Sequence, residues 1–183
     1  LMASKPLVLP ESVRNAAALL WAANPGMEGG TAIAEILLGT TEPTGRLPIS
    51  FAVHVGQQPT YYNQIRGQHG RRYADLTQVP AYSFGYGLSY TTVEYSDAGV
   101  AESRLALDSM IRGHVTVTNT GERPTIETVQ AYISDLVTSV SWTDKELKAY
   151  KQVTLVPGES ARVEIEIPVS DCTIVDAREQ RVV

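Results

Sequence analysis

Phe84-Gly-Tyr-Gly-Leu-Ser-Tyr-Thr-Thr92 is the stretch that decides the fold of this chain, because the composition differs on its two sides. We expect Gly85 and Gly87 to serve the backbone, either through a positive φ or through a close approach at the junction between the two halves. Two other unusual strings precede it, Pro25-Gly-Met-Glu-Gly-Gly30 and Thr44-Gly-Arg-Leu-Pro-Ile-Ser-Phe51. Three strings in a set order are far more specific than one short motif.

The residues after about Tyr90 predict an all-β domain. Apolar and polar residues alternate, as in half-buried strands, in four segments: 91–95, 114–118, 129–133 and 147–155. Pro157-Gly158 then predicts a hairpin leading into a fifth strand over 161–167. Short strands between turns over roughly 90 residues indicate a β-sandwich of immunoglobulin or fibronectin type. One more strand is expected after Val183, so the prediction allows that the sandwich lacks its last edge strand.

The residues before the motif predict an α/β arrangement. Residues 6–9 are of strand type, and the apolar run 16–23 fits either a strand buried on both faces or a buried helix. Residues 28–39 predict a helix that Gly39 ends. Residues 46–51 fit an edge strand, since Pro48 cannot donate to a sheet ladder. Such a short series of elements is too small for an independent parallel sheet.

Composition excludes several classes of function. The net charge of -5 and the scattered basic residues argue against binding to nucleic acid. The single cysteine, Cys172, rules out an internal disulfide and a cysteine-based metal site, so we interpret it as a structural thiol. No apolar run approaches the roughly 18 residues needed to span a membrane. The scarcity of cysteine favours the cytoplasm slightly over secretion from a bacterium.

Together the three strings resemble the C-terminal part of family 3 glycoside hydrolases, the β-glucosidase and β-xylosidase family. The resemblance continues in Leu147-Lys-Ala-Tyr150, where the family more usually has Phe at the last position, and in Pro157-Gly-Glu-Ser160. It implies three regions: the end of a three-layer α/β sandwich domain over 1–55, a long junction loop over 56–89, and a fibronectin type III-like β-sandwich over 90–183.

The resemblance implies a retaining exo-β-glycosidase that hydrolyses terminal β-D-glucosyl or related residues without a metal or an organic cofactor. Retaining hydrolysis needs two carboxyl groups about 5 Å apart. In the family the nucleophile is an Asp of an N-terminal (β/α)8 barrel, and the acid/base Glu lies upstream of the Pro-Gly-Xaa-Glu-Gly string. Neither position exists in this sequence. We therefore assign no catalytic residue, and we expect the chain alone to be inactive.

The long loop carries the candidate substrate-binding residues. Sugar sites combine aromatic platforms with planar polar side chains, and the loop offers both in Arg72, Tyr73 and Asp75. His69 lies among glycines that would let a loop present it, although a local loop-stabilising hydrogen bond is the simpler interpretation. Trp142 could also carry a sugar, but packing is its simpler use.

Two carboxylates and two further histidines could be taken for catalytic or metal-binding residues, but each has a simpler structural interpretation. Glu28 lies at a predicted helix start, where free amides stabilise an ionised carboxylate, whereas a general acid must hold its proton. Glu35 fits a solvated helix face. His54 and His114 lack the spacing of metal ligands.

The partners expected are the remaining N-terminal part of the same enzyme, its barrel and α/β domain, and a β-glucoside or oligosaccharide substrate. Assembly into a homo-oligomer is left open. One rival function is a non-catalytic β-sandwich module that binds carbohydrate or protein. The other is the same fold acting on a different sugar, as in a β-xylosidase or a β-N-acetylglucosaminidase.

Overall fold

The computed structural model describes residues 1–65 and 77–183, which form two compact units. Unit 1 contains the described residues up to Tyr62 and from Thr77 to Leu88. Unit 2 contains Asn63 to Ile65 and Ser89 to Val183. Each unit has its own kind of secondary structure, helical and irregular in unit 1 and almost entirely β in unit 2.

Unit 2 is an antiparallel β-sandwich, so the predicted all-β fold is confirmed. Its strands are β1 (Val93–Val100), β2 (Met110–Asn119), β3 (Thr125–Ile133), β4 (Glu146–Leu155), β5 (Ser160–Pro168), β6 (Ile174–Val175) and β7 (Arg181–Val182). One sheet has the order β1-β2-β5, the other pairs β3 with β4, and β6 pairs with β7. A short 3₁₀ helix, Val169–Asp171, follows β5.

The core of the sandwich comes from the alternation of side chains along the strands. Val117 of β2 and Val163 of β5 meet Val129 of β3 and Leu155 of β4 in one buried cluster. Val117 and Leu155 are fully buried. Because successive strand residues point to opposite faces, this inward set leaves the intervening residues to the outside of the sandwich.

The predicted hairpin at Pro157-Gly158 is wrong. Strand β4 pairs with β3 and β5 pairs with β2, so the turn carries the chain from one sheet to the other. The turn residues hydrogen-bond to the end of β2 instead: Gly158 N–H donates to the Asn119 carbonyl, and Asn119 N–H donates to the Glu159 carbonyl, both at 2.9 Å. Turn chemistry is local and does not specify the partner strand, which here is chosen by burial of both strands in one core.

Asn119, at the end of β2, is fully buried and all its polar atoms are hydrogen-bonded. Besides the two backbone bonds to the turn, its side-chain oxygen accepts from the Thr91 hydroxyl at 2.8 Å and from Gly121 N–H at 3.1 Å. Its side-chain nitrogen donates to the carbonyls of Arg123 at 2.7 Å and Leu155 at 3.2 Å. One side chain therefore ties together the chain before β1, the β2–β3 turn and the end of β4.

Unit 1 contains α1 (Glu11–Arg14) and α2 (Gly29–Leu38). The predicted helix end at Gly39 is confirmed, because Gly39 takes a left-handed φ of 73° and its N–H bonds to the carbonyls of Glu35 and Ile36. Such a cap favours glycine, which has no Cβ to clash in that conformation.

The strands predicted over 6–9, 16–23 and 46–51 are wrong for the described residues of unit 1, where β pairing is limited to isolated bridges. Nor does 16–23 form the alternative helix. A β-strand needs a neighbouring strand for its backbone hydrogen bonds, and the backbone of residues 20–22 is bonded instead to Leu1, which donates to the Leu20 carbonyl and accepts from Ala22 N–H. An apolar run without a sheet to join stays irregular.

Residues 46–51 find their partner in the Phe84-Gly-Tyr-Gly motif. Leu47 N–H donates to the Tyr86 carbonyl at 2.8 Å, Gly85 N–H donates to the Leu47 carbonyl at 2.7 Å, and Phe51 bridges to Tyr82. The expected roles of both glycines are confirmed. Gly85 has a φ of 79°, and a Cβ on Gly87 would collide with the Gly45 carbonyl oxygen.

We expect Asn119→Ala to lower the free energy of unfolding of unit 2 by about 3 kcal/mol, because several buried donors and acceptors lose their partner at once. Trp142 fluorescence in urea, with Trp21 replaced by Phe, reports on unit 2 alone. The matched control is Thr118→Val on the preceding residue, whose hydroxyl meets only Ser160 at the surface. Equal midpoints for the two variants would contradict the assignment.

We expect Gly87→Ala to destabilise unit 1 by roughly 1–3 kcal/mol, because the new methyl group has no room beside Gly45. Gly45→Ala is the control, since a Cβ there meets nothing within 4 Å. Trp21 fluorescence in urea, with Trp142 replaced by Phe, follows unit 1. A midpoint for Gly87→Ala that equals that of Gly45→Ala would show that the contact does not constrain the fold.

Candidate functional site

The four candidate substrate-binding residues, His69, Arg72, Tyr73 and Asp75, lie outside the described residues, which end at Ile65 and resume at Thr77. Their assignment stays a prediction. The structure does describe the residues on both sides of the segment 66–76, which contains them.

Gln57 joins the chain before this segment to the chain after it, within unit 1. Its side chain is buried, and its Oε1 atom accepts from Val53 N–H at 2.6 Å. Its Nε2 atom donates to the carbonyls of Thr77 at 2.5 Å and Val79 at 3.4 Å. A buried amide with both ends bonded is costly to replace, because its partners would be left without hydrogen bonds. Gln57 therefore holds the chain after the segment against the chain before it.

The short 3₁₀ helix Val55–Gln57 presents that amide, and His54 begins it. The Nδ1 atom of His54 accepts from Gly56 N–H at 3.0 Å, which closes the turn. His54 thus has a local structural role, in agreement with its lack of metal-ligand spacing.

Tyr62 packs face to face on Phe84, with ring centroids 4.1 Å apart and an interplanar angle of 15°. Tyr61, its neighbour, is 62% exposed. The stack attaches the chain entering the segment to the glycine-tyrosine motif.

A second set of aromatic contacts lies in the same unit. Phe51 is almost fully buried and touches Trp21 edge-on at 5.2 Å between ring centroids, and Tyr82 at 6.1 Å. Tyr82 in turn lies 5.9 Å from Tyr86. Aromatic pairs at such separations add to the burial of their surface. The aromatic side chains of residues 82–86 therefore pack against chain that precedes the segment 66–76.

Glu28 and Glu35 occupy the positions expected of structural carboxylates. Glu28 immediately precedes α2, is exposed and caps no helix amide with its side chain. Glu35 lies on the exposed side of α2, and its carboxylate accepts from the Thr41 hydroxyl at 3.0 Å.

Unit 2 has a shallow cleft lined by residues of β4, its preceding loop and the C-terminal segment, among them Trp142, Glu146, Lys148 and Cys172. Glu146 Oε2 lies 3.4 Å from the Trp142 indole nitrogen and 3.3 Å from Lys148 Nζ. Burial raises the pKa of the Cys172 thiol, although the nearby Lys148 acts in the opposite direction. A reactive cysteine needs a lowered pKa, so these groups support packing rather than nucleophilic chemistry.

Within residues 1–65 and 77–183, no group of His, Cys, Asp and Glu side chains is arranged to hold a metal ion. The same residues contain no helix of the length and apolarity that a bilayer crossing requires.

The sequence interpretation missed Gln57. It lies in a polar stretch, Gln57-Gln-Pro59, where the two glutamines are equivalent by type. Only the structure distinguishes them, because Gln57 is buried and Gln58 is exposed.

Comparison with known proteins agrees with this architecture. Residues 1–90 match the glycosyl hydrolase family 3 C-terminal domain, and residues 127–183 match a fibronectin type III-like domain. The periplasmic beta-glucosidase of Salmonella typhimurium is 38% identical over 92% of this chain and 23% of its own length. A beta-xylosidase of Formosa agariphila is 33% identical over 100% of this chain and 26% of its own length.

A solved structure resembles the chain more strongly. A beta-glucosidase involved in saponin metabolism from intestinal bacteria is 52% identical, with a TM-score of 0.92, over all of this chain and 26% of that protein. This chain thus spans about a quarter of the length of the relatives it matches. The fold, the ordered motifs and these matches agree, and the chain belongs to glycoside hydrolase family 3, as part of its C-terminal region.

Proposed function

We propose that this chain is the C-terminal portion of a retaining exo-β-glycosidase that releases terminal β-D-glucosyl residues. The observation that carries the proposal is the 52% identity, along the whole chain, to a solved beta-glucosidase of about four times its length. The parent's activity depends on two carboxyl groups, a nucleophile and an acid/base, on polypeptide N-terminal to this chain. This chain then contributes structure and one edge of the cleft.

The proposed division of the chain is the end of an α/β domain over 1–55, a junction loop over 56–89 and a fibronectin type III-like domain over 90–183. Among the described residues, one sheet of this proposed domain has three strands, whereas β3 pairs with β4 alone. An edge strand as long as β3 normally has a neighbour or a device that discourages pairing.

The proposed cleft edge consists of Arg72, Tyr73, Asp75 and His69 as substrate contacts. The types of these residues support the proposal, because their side chains can bind sugar hydroxyl groups and pack on sugar rings. The described chain on either side is also held in place, by the Gln57 hydrogen bond to Thr77 and by the stack of Tyr62 on Phe84.

The Formosa agariphila beta-xylosidase supports a second candidate sugar, a β-linked xylosyl residue. Both sugars have the same ring and linkage and differ in the hydroxymethyl group. Secretion or export is supported by the relative named a periplasmic beta-glucosidase, whereas the single cysteine favours the cytoplasm. The homo-oligomer stays an expectation.

We expect the purified 183-residue chain to leave p-nitrophenyl β-glucoside and β-xyloside intact, and the parent protein to hydrolyse one of them. Release of p-nitrophenol measures both activities. Glu28→Gln in the parent should retain the wild-type rate, because Glu28 is a helix-start residue. Turnover by the chain alone that disappears in Glu28→Gln would overturn the assignment of catalysis to the missing part.

We expect Arg72→Ala and Asp75→Ala in the parent to raise KM roughly 2- to 10-fold, the effect of losing one hydrogen bond to a neutral sugar. Arg71→Ala is the matched control, since it removes the same charge from the adjacent position. If KM and kcat of all three variants coincide, the cleft-edge role of these residues is wrong.

A further inference from the structure

Three residues between Tyr62 and the segment 66–76 belong to the sandwich rather than to unit 1. Residues 63–65 are part of unit 2, whereas Tyr62 is part of unit 1. Within unit 2, Asp144 N–H donates to the Gln64 carbonyl at 2.7 Å, and Ile65 forms an antiparallel bridge with Thr143. The chain that leads into the segment is therefore paired, backbone to backbone, with the connection between β3 and β4.

That connection, residues 134–145, is itself attached to the sandwich on which it lies. The Ser134 hydroxyl, directly after β3, donates to the Asp144 carbonyl. The same residue whose N–H bonds to the incoming chain is thus also fixed through its C=O. Next to it, the Lys145 ammonium lies 5.3 Å from the centre of the Tyr132 ring of β3, a distance at which a cation is attracted to an aromatic face. The pairing therefore connects residues 63–65 to a supported part of the sandwich.

The chain on the far side of the segment is held in the other unit. Thr77 belongs to unit 1, where its carbonyl accepts from the Gln57 side chain at 2.5 Å. The four proposed substrate contacts lie in sequence between these two attachments. His69 follows Ile65 by four residues, so the two Cα atoms lie within about 15 Å of each other, because an extended chain spans only about 3.6 Å per residue. The pairing in unit 2 therefore limits where the proposed contacts can lie.

We propose that the fibronectin type III-like unit positions the substrate contacts of the parent glycosidase through the pairing of residues 64–65 with residues 143–144. The proposal rests on the proposed function, because it takes the substrate contacts from there. Thr143 and Asp144 are then positioning residues, which act on the substrate through the chain that they pair with. Hydrogen bonds weaken steeply when donor and acceptor move out of line, so contacts to sugar hydroxyl groups depend on such an attachment.

The first test removes one donor of the pairing in the parent protein. Asp144→Pro lacks the N–H that bonds to the Gln64 carbonyl, and the residue is exposed, so the new ring has room. We expect KM for p-nitrophenyl β-glucoside to rise roughly 3- to 10-fold, with kcat changed by less than about 2-fold, because binding contacts are lost and the reacting groups are not. A purely structural role would lower Tm without changing KM.

Ser134→Ala repeats the test without a constraint on the backbone, because it removes only the hydroxyl that holds the Asp144 carbonyl. It should raise KM in the same direction, by roughly 1.5- to 3-fold. The matched control is Ser139→Pro, which places the same ring at an exposed residue of the same connection, outside the pairing with residues 64 and 65. It should leave KM unchanged.

A double variant tests whether the pairing acts through the proposed contacts. If Asp144→Pro and Arg72→Ala disturb the same contact, their combined effect on KM should be smaller than the product of the two single effects, whereas independent effects multiply. Effects that multiply would contradict the proposed route to the substrate.

The same assays separate this proposal from the proposed function. An active parent whose KM is unchanged by both Asp144→Pro and Ser134→Ala would overturn the positioning role and leave the activity standing. A Ser139→Pro variant with the same rise in KM as Asp144→Pro would also overturn it, since any restriction of this connection would then suffice. A wild-type parent inactive on β-glucosides and β-xylosides would refute the proposed function, and the positioning role with it.

Discussion

The sandwich of unit 2 depends on the hydrogen bonds of one buried side chain, Asn119. A core of four aliphatic residues favours burial but not a particular pairing of strands, because apolar contacts are not directional. The amide of Asn119 is directional, and its partners Thr91, Arg123 and Leu155 lie on three separate stretches of chain. Any other arrangement of these stretches would leave buried polar groups without partners, at a cost comparable to a large core mutation.

The two units differ in how much of its own apolar surface each one buries. Unit 2 closes a core between two sheets, whereas unit 1 leaves a face of α2 and the residues 16–19 exposed. Local signals in unit 1 nevertheless operate, as the left-handed Gly39 cap and the helix bounds demonstrate. The strand-like segments of unit 1 have no neighbouring strand among the described residues. Strand formation depends on such a neighbour more than helix formation does.

The glycine-tyrosine motif combines a backbone requirement with a packing role. Gly85 and Gly87 let residues 82–87 lie against residues 45–51. In the same stretch, Phe84 packs on Tyr62 and Tyr82 packs on Phe51. The same contacts hold one flank of the candidate loop, and Gln57 holds both of its flanks.

The sequence by itself determined the all-β class of the second half, the strands of the sandwich, the end of α2 and the need for glycine at 85 and 87. These depend on residue periodicity and on backbone conformations that few residues adopt. Only the tertiary structure decided that the Pro157-Gly158 turn crosses between sheets, that Asn119 and Gln57 are buried and fully bonded, and that residues 16–23 form no strand. Each of these depends on which distant segment lies alongside, and such pairings are chosen by burial and hydrogen bonding across the whole unit.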